Sequence, residues 1–253
     1  MKIFISLLIL LPTIISIAAL PPRGGIEAAE IRAADGDAGA AMFAGKYYYN
    51  GMFGSKPDPA KAAKYLEFAA LKGGYSSALY NLGMIRLNGE GGTAPDRAAA
   101  VLMLCEAAMK GHEMAVSELE KLGENPEALS ALGTCRMTGK GIACNPEEAV
   151  GLWRRAAELG SPSALFNLGL ACATGSGVPA DPQKAVQYWK KSAESGYGPA
   201  FRSLEKACME GYGGMKKDPG GAAKWRRKAD EWERNARAEH KRRTEEAERA
   251  LRK

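Results

Sequence analysis

A repeat of 36 residues constrains this chain more than any other feature of its sequence. Trp153, Trp189 and Trp225 follow one another at this interval. Three further series keep the same period: Gly139, Gly175 and Gly211; Ala128, Ala164 and Ala200; and Ala157, Ala193 and Ala229. Four series with one period indicate stacked structural units, each too small to bury its own apolar face without its neighbours.

Each unit begins with a pattern that is typical of a helix. An alanine is followed four residues later by leucine and then glycine, and another glycine comes eleven residues after the alanine. The copies are Ala78, Leu82, Gly83 and Gly89; Ala128, Leu132, Gly133 and Gly139; and Ala164, Leu168, Gly169 and Gly175. Spacings of four and eleven return to one face of an α-helix, and the last glycine predicts its C-terminal end.

A second helix is predicted in each unit, after a turn that contains another glycine. The dipeptides Asn145-Pro146, Asp181-Pro182 and Asp218-Pro219 have the residue types that start helices. Ala149 and Trp153, four residues apart, then lie on one face, so the tryptophans are expected in the core rather than in a ligand site. The recurring Gly-x-Gly pairs are expected to be turns, since no strand precedes them as a nucleotide-binding loop requires.

This combined pattern resembles the Sel-one-like repeat, one of the tetratricopeptide-like helical repeats, most completely over residues 164–196. The resemblance covers most of the chain. It implies an all-α fold, a right-handed α-solenoid of about five helix-turn-helix units. The units begin near Ala40, Ala78, Ala128, Ala164 and Ala200.

The irregularities in this pattern predict the remaining divisions of the chain. Residues 21–37 are a partial unit or cap, 38–112 hold units one and two, and 126–232 hold units three to five. Because the step from Ala78 to Ala128 is 50 residues, residues 113–125 are predicted to be an inserted helix or truncated unit. Residues 233–253 are predicted to form a charged, solvated terminal helix, or alternatively to contact an anionic membrane or cell-wall surface.

Four Glu-before-Arg pairs at the i, i+4 spacing support a helix over this last segment. They are Glu233/Arg237, Glu239/Arg243, Glu245/Arg249 and Glu248/Arg252.

The first twenty residues have the composition of a secretory signal peptide. Lys2 precedes an apolar run to Leu20, with small residues just before Pro21. We therefore expect an exported protein of the bacterial periplasm or the extracellular space, with an uncleaved anchor as the alternative.

The positive charge does not predict a nucleic-acid partner. The formal net charge is +6, but residues 224–253 hold twelve Lys or Arg against seven Asp or Glu, and Lys2 supplies one further charge. The remainder is neutral, whereas a nucleic-acid-binding protein carries a basic face on its folded part.

The residues that usually carry chemistry do not form a known catalytic, cofactor or metal motif. His112 and His240 are far apart, and His112 is expected to be an exposed turn residue. Of the five cysteines, Cys135 and Cys144 could form a disulfide across one turn. The alternative is that the cysteines are buried free thiols.

The family resemblance implies a binding role for two asparagines. In tetratricopeptide-like solenoids the first helices line the concave surface, and an asparagine before Leu-Gly contacts the backbone or terminal carboxylate of a bound peptide. Asn81 and Asn167 occupy this place, and Tyr80, Phe166 and Arg202 lie on the same type of helix. A purely structural role for the asparagines is the alternative.

We therefore expect a monomeric scaffold that binds a protein or peptide. The alternatives are a penicillin-binding hydrolase with β-lactamase activity, as described for some cysteine-rich relatives, and a structural subunit of a cell-envelope complex.

Overall fold

The fold is described by a computed structural model of residues 25–92 and 94–252. The predicted signal peptide, residues 1–20, lies outside the described residues. In chain order the helices are α1 (Gly25–Ala34), α2 (Ala38–Asn50), α3 (Pro59–Gly73), α4 (Ser76–Asn88), α5 (Arg97–Met109), α6 (Glu113–Lys121), α7 (Pro126–Thr138), α8 (Pro146–Glu158), α9 (Pro162–Thr174), α10 (Pro182–Glu194), α11 (Gly198–Glu210) and α12 (Pro219–Leu251).

Ten of these helices form five helix-turn-helix units, which confirms the predicted fold class. The first helices are α2, α4, α7, α9 and α11, and their partners are α3, α5, α8, α10 and α12. Each first helix packs against its own second helix and against the second helix of the preceding unit. The helix α1 packs on α2 in the place of a preceding second helix.

The helix ends form where the residue types predict them. Asn145 accepts a hydrogen bond from the backbone N–H of Glu148 at 3.1 Å, and Asp181 accepts one from Lys184 at 3.0 Å. These bonds satisfy donors that would otherwise have no partner in the first turn. Gly139 ends α7 with a φ of 70°, a conformation that glycine adopts without steric cost.

The glycine after leucine allows the two helices of a unit to approach closely. A Cβ atom on Gly133 would lie 2.5 Å from Nε1 of Trp153, and one on Gly169 would lie 2.4 Å from Nε1 of Trp189. Both indoles are buried, which confirms that these tryptophans belong to the core. Trp153 also donates a hydrogen bond from Nε1 to the carbonyl of Ser130 at 3.0 Å.

The inserted segment is a truncated first helix. His112 is the N-cap of α6, and Ala115 follows it by three residues, as Ala128 follows Asn125 in α7. Ala115, Val116 and Leu119 are buried against α5 and α7. The chain then enters α7 directly, so α6 has no second helix of its own.

The last helix differs from the prediction in its surroundings. The helix α12 runs without interruption to Leu251, and most of its residues beyond 233 are exposed as predicted, but one face of its end packs against α3 and α1. Ala247 is only 7% exposed and belongs to the buried cluster of the first two units. The predicted charged helix is therefore present and largely exposed, and the unpredicted feature is the packing of one of its faces on α3 and α1.

None of the helices in the described part of the chain is both long enough and apolar enough to span a membrane.

The close contact at Gly169 gives a test of the packing. We expect Gly169→Ala to lower the free energy of unfolding by about 1–3 kcal/mol, because the added methyl group overlaps the indole of Trp189. Gly151→Ala is the matched control: its Cβ would meet nothing within 4 Å, so better helix propensity should stabilise the chain by about 0.5–1 kcal/mol. Urea unfolding of both variants makes the comparison, and equal effects would contradict the packing account.

Candidate peptide-binding face

The first helices of the last three units leave a continuous surface open to solvent, which we call the first-helix face. A groove of about 210 Å³ lies between α7 and α9, and a second groove of about 280 Å³ lies between α9 and α11. Leu170 lines both grooves and is 40% exposed. Other lining residues are Thr134, Met137, Asn167, Ser203 and Lys206.

The sequence of α9 explains which side chains reach this face. Ala164, Leu168 and Ala171 are buried within the solenoid. Asn167, Leu170 and Thr174 line the grooves instead, because their spacing places them on another side of the helix. The side chains of this face are uncharged over most of its length, with Lys206 and Glu210 at the α11 end.

The two predicted asparagines have different environments. Asn167 is half-buried in the first groove and donates a hydrogen bond from Nδ2 to Oγ1 of Thr134 at 3.2 Å. Asn81 lies two units away on α4 and is also half-buried, and its side chain makes no hydrogen bond with the described residues. The structure therefore does not bring the asparagines into one site, and their binding role stays a prediction.

Tyr80 and Phe166 contact the next unit. The Tyr80 ring stacks on His112 with centroids 4.6 Å apart, and the Phe166 ring lies 5.5 Å from that of Tyr197. His112 and Tyr197 are both N-cap residues of the following helix of the first type. Both aromatic residues thus stabilise the stacking of neighbouring units.

Arg202 is held by three carboxylates of α11 and α12. Its guanidinium lies 3.0 Å from Glu205, 2.6 Å from Asp230 and 2.9 Å from Glu233. The hydrogen bond from Arg202 lowers the pKa of the Glu233 carboxyl. These contacts fix the final helix to its partner and use three of the five N–H donors of the guanidinium.

His112 is not the exposed turn residue that the sequence suggested. It is half-buried, and its Nδ1 atom is buried without a hydrogen-bond partner among the described residues. Burial lowers the pKa of its imidazole, and the nearby charge of Lys46 adds to this effect.

The five cysteines are free thiols, so the predicted disulfide between Cys135 and Cys144 is absent from the structure. Cys135 is fully buried in the core, whereas Cys144 is exposed in the turn, with its Sγ 3.4 Å from the carbonyl of Met137. Cys105, Cys172 and Cys208 are buried as well, as small apolar residues would be.

A polar cluster that the sequence did not suggest joins α1 to the first unit. Tyr48 and Tyr65 donate hydrogen bonds to Oε1 of Glu30 at 2.7 and 2.9 Å, and Nζ of Lys61 lies 2.7 Å from the same oxygen. Burial alone would raise the pKa of Glu30, but the hydrogen bonds from Lys61 and the tyrosines outweigh it and lower the pKa. The only sequence signal for this cluster is the uncommon Tyr47-Tyr48-Tyr49 run.

The acids, histidines and cysteines of the described residues form no group of three or more that could hold a metal ion.

Comparison with known families identifies the repeat. The Sel1 repeat matches residues 38–74, 76–112, 126–161, 162–197 and 204–229, which together make up more than half of the chain. The chain belongs to the Sel1 repeat family. Sel1 repeats mediate protein–protein interactions, and proteins built from them are in general non-catalytic scaffolds. The residues between the second and third Sel1 repeats include the whole of α6.

Two solved structures are similar to this Sel1 repeat chain. A protective antigen present in uropathogenic Escherichia coli strains, displaying an SLR fold, is 30% identical over 81% of this chain and 40% of that one, with a TM-score of 0.42. A Sel1 repeat protein from Oxalobacter formigenes is 28% identical over 78% of this chain and 71% of that one, with a TM-score of 0.41. This chain thus spans less than half of the Escherichia coli antigen. No curated protein matches the chain.

The environment of His112 predicts a pH-dependent stability. Because its pKa is lowered from 6.5 in the folded chain, the unfolded chain binds more protons as the pH falls below 6.5. We expect the free energy of unfolding to decrease over that range, and His112→Phe, which keeps a ring against Tyr80, to reduce the decrease. Urea unfolding at a series of pH values measures this pH dependence of the free energy of unfolding. His240→Gln is the control, because it removes a histidine but retains His112. An identical slope in His112→Phe would contradict this interpretation.

Proposed function

We propose that this chain is an interaction scaffold that binds an extended peptide segment along the first-helix face of α7, α9 and α11. The observation that carries the proposal is the pair of grooves on either side of Leu170. A large apolar side chain that is exposed between two grooves provides a contact that a partner can cover.

The residues around Leu170 have the chemistry to bind a peptide backbone and its side chains. Met137 and Leu170 offer apolar contacts, while Thr138, Asn167 and Ser203 offer hydrogen-bonding groups. Asn167 uses Nδ2 to bond to Thr134, so its Oδ1 oxygen can accept a hydrogen bond from a peptide N–H.

The lining of the grooves also favours one class of peptide. Because their side chains are mostly uncharged, the face suits a segment with apolar and small polar residues rather than a highly charged one. Lys206 and Glu210 provide a charged end that can fix the direction of the bound segment.

We further propose that the scaffold acts outside the cytoplasm. Support comes from the sequence of residues 1–20, in which Lys2 precedes an apolar run and small residues. The partner would then be a protein of the bacterial periplasm or of the extracellular space.

Peptide selection tests the binding proposal. The full-length chain is used to select peptides from a displayed random library, and the affinity of a selected peptide is measured by fluorescence anisotropy. We expect Leu170→Glu to weaken binding at least about tenfold and Asn167→Ala to weaken it to a smaller extent, because these residues line the grooves.

Leu159→Glu is the matched control, since Leu159 is exposed at the end of α8 and lines neither groove. It should leave the affinity unchanged. If Leu170→Glu bound the selected peptides as tightly as the wild type, the first-helix face would not be the binding surface.

Export has its own test. The gene is expressed in a Gram-negative bacterium with residues 1–20 present or deleted, and the protein is followed in the periplasmic and cytoplasmic fractions. We expect a shortened mature chain in the periplasm only when residues 1–20 are present. Retention of both forms in the cytoplasm would contradict export.

A further inference from the structure

The end of α12 contacts the opposite end of the chain through a defined set of residues. We call residues 233–252 the tail, and the α1–α3 surface under it the tail site. Arg243 of the tail lies 3.4 Å from Oε1 of Glu67, and Glu248 lies 3.2 Å from Nζ of Lys72. Arg252 donates from Nε to the carbonyl of Ala34 at 3.3 Å.

The tail uses one of its faces for this contact, as its own ion pairs show. Four Glu-before-Arg pairs are available within the tail. Two of these four pairs form ion pairs in the structure, Glu233 with Arg237 at 3.5 Å and Glu245 with Arg249 at 3.8 Å. In the other two pairs, Arg243 contacts Glu67 of α3 instead of Glu239, and Glu248 contacts Lys72 of α3 instead of Arg252.

The interface between the tail and the tail site is weak. Among the described tail residues only Ala247 is buried, and Leu251 packs partly buried against the same core cluster. The side chains of Arg243 and Lys72 are 42% and 47% exposed, so salt screens their ion pairs and each stabilises the contact little. The covalent connection keeps the tail close to its site, which compensates for a weak interface.

The tail also does not fill all of the space beside it. A cleft of about 440 Å³ lies between the tail and α3, α4 and α5. Leu71, Leu102 and Met103 line it, and Leu102 is 61% exposed. The tail contributes His240 and Arg243 to this cleft, and neither is a large apolar residue. A helix with a larger apolar residue in place of His240 would cover more of Leu102.

We propose that the tail site is a docking surface for a charged helix of a partner protein, and that the tail covers this surface when the partner is absent. The partner helix carries a basic residue, a small residue four positions later and an acidic residue next to it, as Arg243, Ala247 and Glu248 do. It also carries a large apolar residue at the position of His240. The contacts of the tail site are on α3 and α1, not on α7, α9 and α11, so the proposal does not depend on peptide binding at the first-helix face.

Charge reversal in the full-length chain tests the proposal. The double variant Arg243→Glu, Glu248→Lys places like charges opposite Glu67 and Lys72, which should release the tail. A fluorescein-labelled peptide of residues 234–253 with the natural sequence is then added, and its binding is measured by anisotropy. We expect it to bind the double variant at least about tenfold more tightly than the wild-type chain, whose own tail competes.

The matched control reverses two other charges of the tail. Lys241 pairs with Glu245 within the tail, and neither side chain forms an ion pair with the described residues of α3. The variant Lys241→Glu, Glu245→Lys should therefore keep its tail docked and bind the peptide as weakly as the wild type. Equal binding by the wild type and both double variants, or no binding by any of them, would overturn the proposal.

Variants of the site itself keep the test valid if the first double variant does not fold. The chain with Glu67→Arg and Lys72→Glu should bind a peptide that carries Arg243→Glu and Glu248→Lys, and reject the natural peptide. The reverse preference would overturn the proposal.

Two further measurements test the partner's chemistry. A peptide with His240→Leu should bind the Arg243→Glu, Glu248→Lys chain at least about threefold more tightly than the natural peptide, because leucine fills the cleft beside Leu102. Unchanged or weaker binding would overturn the apolar part of the proposal. A wild-type dimer in light scattering that the Arg243→Glu, Glu248→Lys variant abolishes would identify a second copy as the occupant, and would overturn the partner helix.

Discussion

The close approach of the two helices in each unit is the constraint on which the rest of this structure depends. Gly133 and Gly169 allow an indole ring to lie directly against the first helix, and Gly83 does the same for Leu104. This contact fixes the rotation of the first helix and therefore decides which residues face outward. Asn167 and Leu170 reach the first-helix face because the alanines and the glycine of α9 face the other way.

The regular parts of the fold could be predicted because local residue types determine them. The caps at Asn145 and Asp181 and the final glycine of each first helix specify the helix ends. The period of Trp153 and Trp189 specifies the buried faces, and neither signal needs long-range information. The truncated helix α6 was also recognisable, since Ala115 and Leu119 repeat the spacing of a first helix.

The contacts of the tail could not be predicted in this way. Arg243 and Glu67 are 176 residues apart, as are Glu248 and Lys72. The tail's own Glu-before-Arg pairs already explain a stable exposed helix, so its sequence gives no reason to expect tertiary partners. Arg202 is similar: its position on α11 suggested an open surface, but α12 supplies Asp230 and Glu233 to hold it.

We propose that the described chain has two partner surfaces, an open one on the first helices of the last three units and one near α3 that its own tail covers. We propose above all that a peptide binds the open surface. A crystal structure of the full-length chain with a library-selected peptide tests it most directly. We predict a peptide in contact with Asn167, Leu170 and Ser203, with the tail still docked beside Glu67. A peptide bound along the second helices, with the first-helix face empty, would contradict the account.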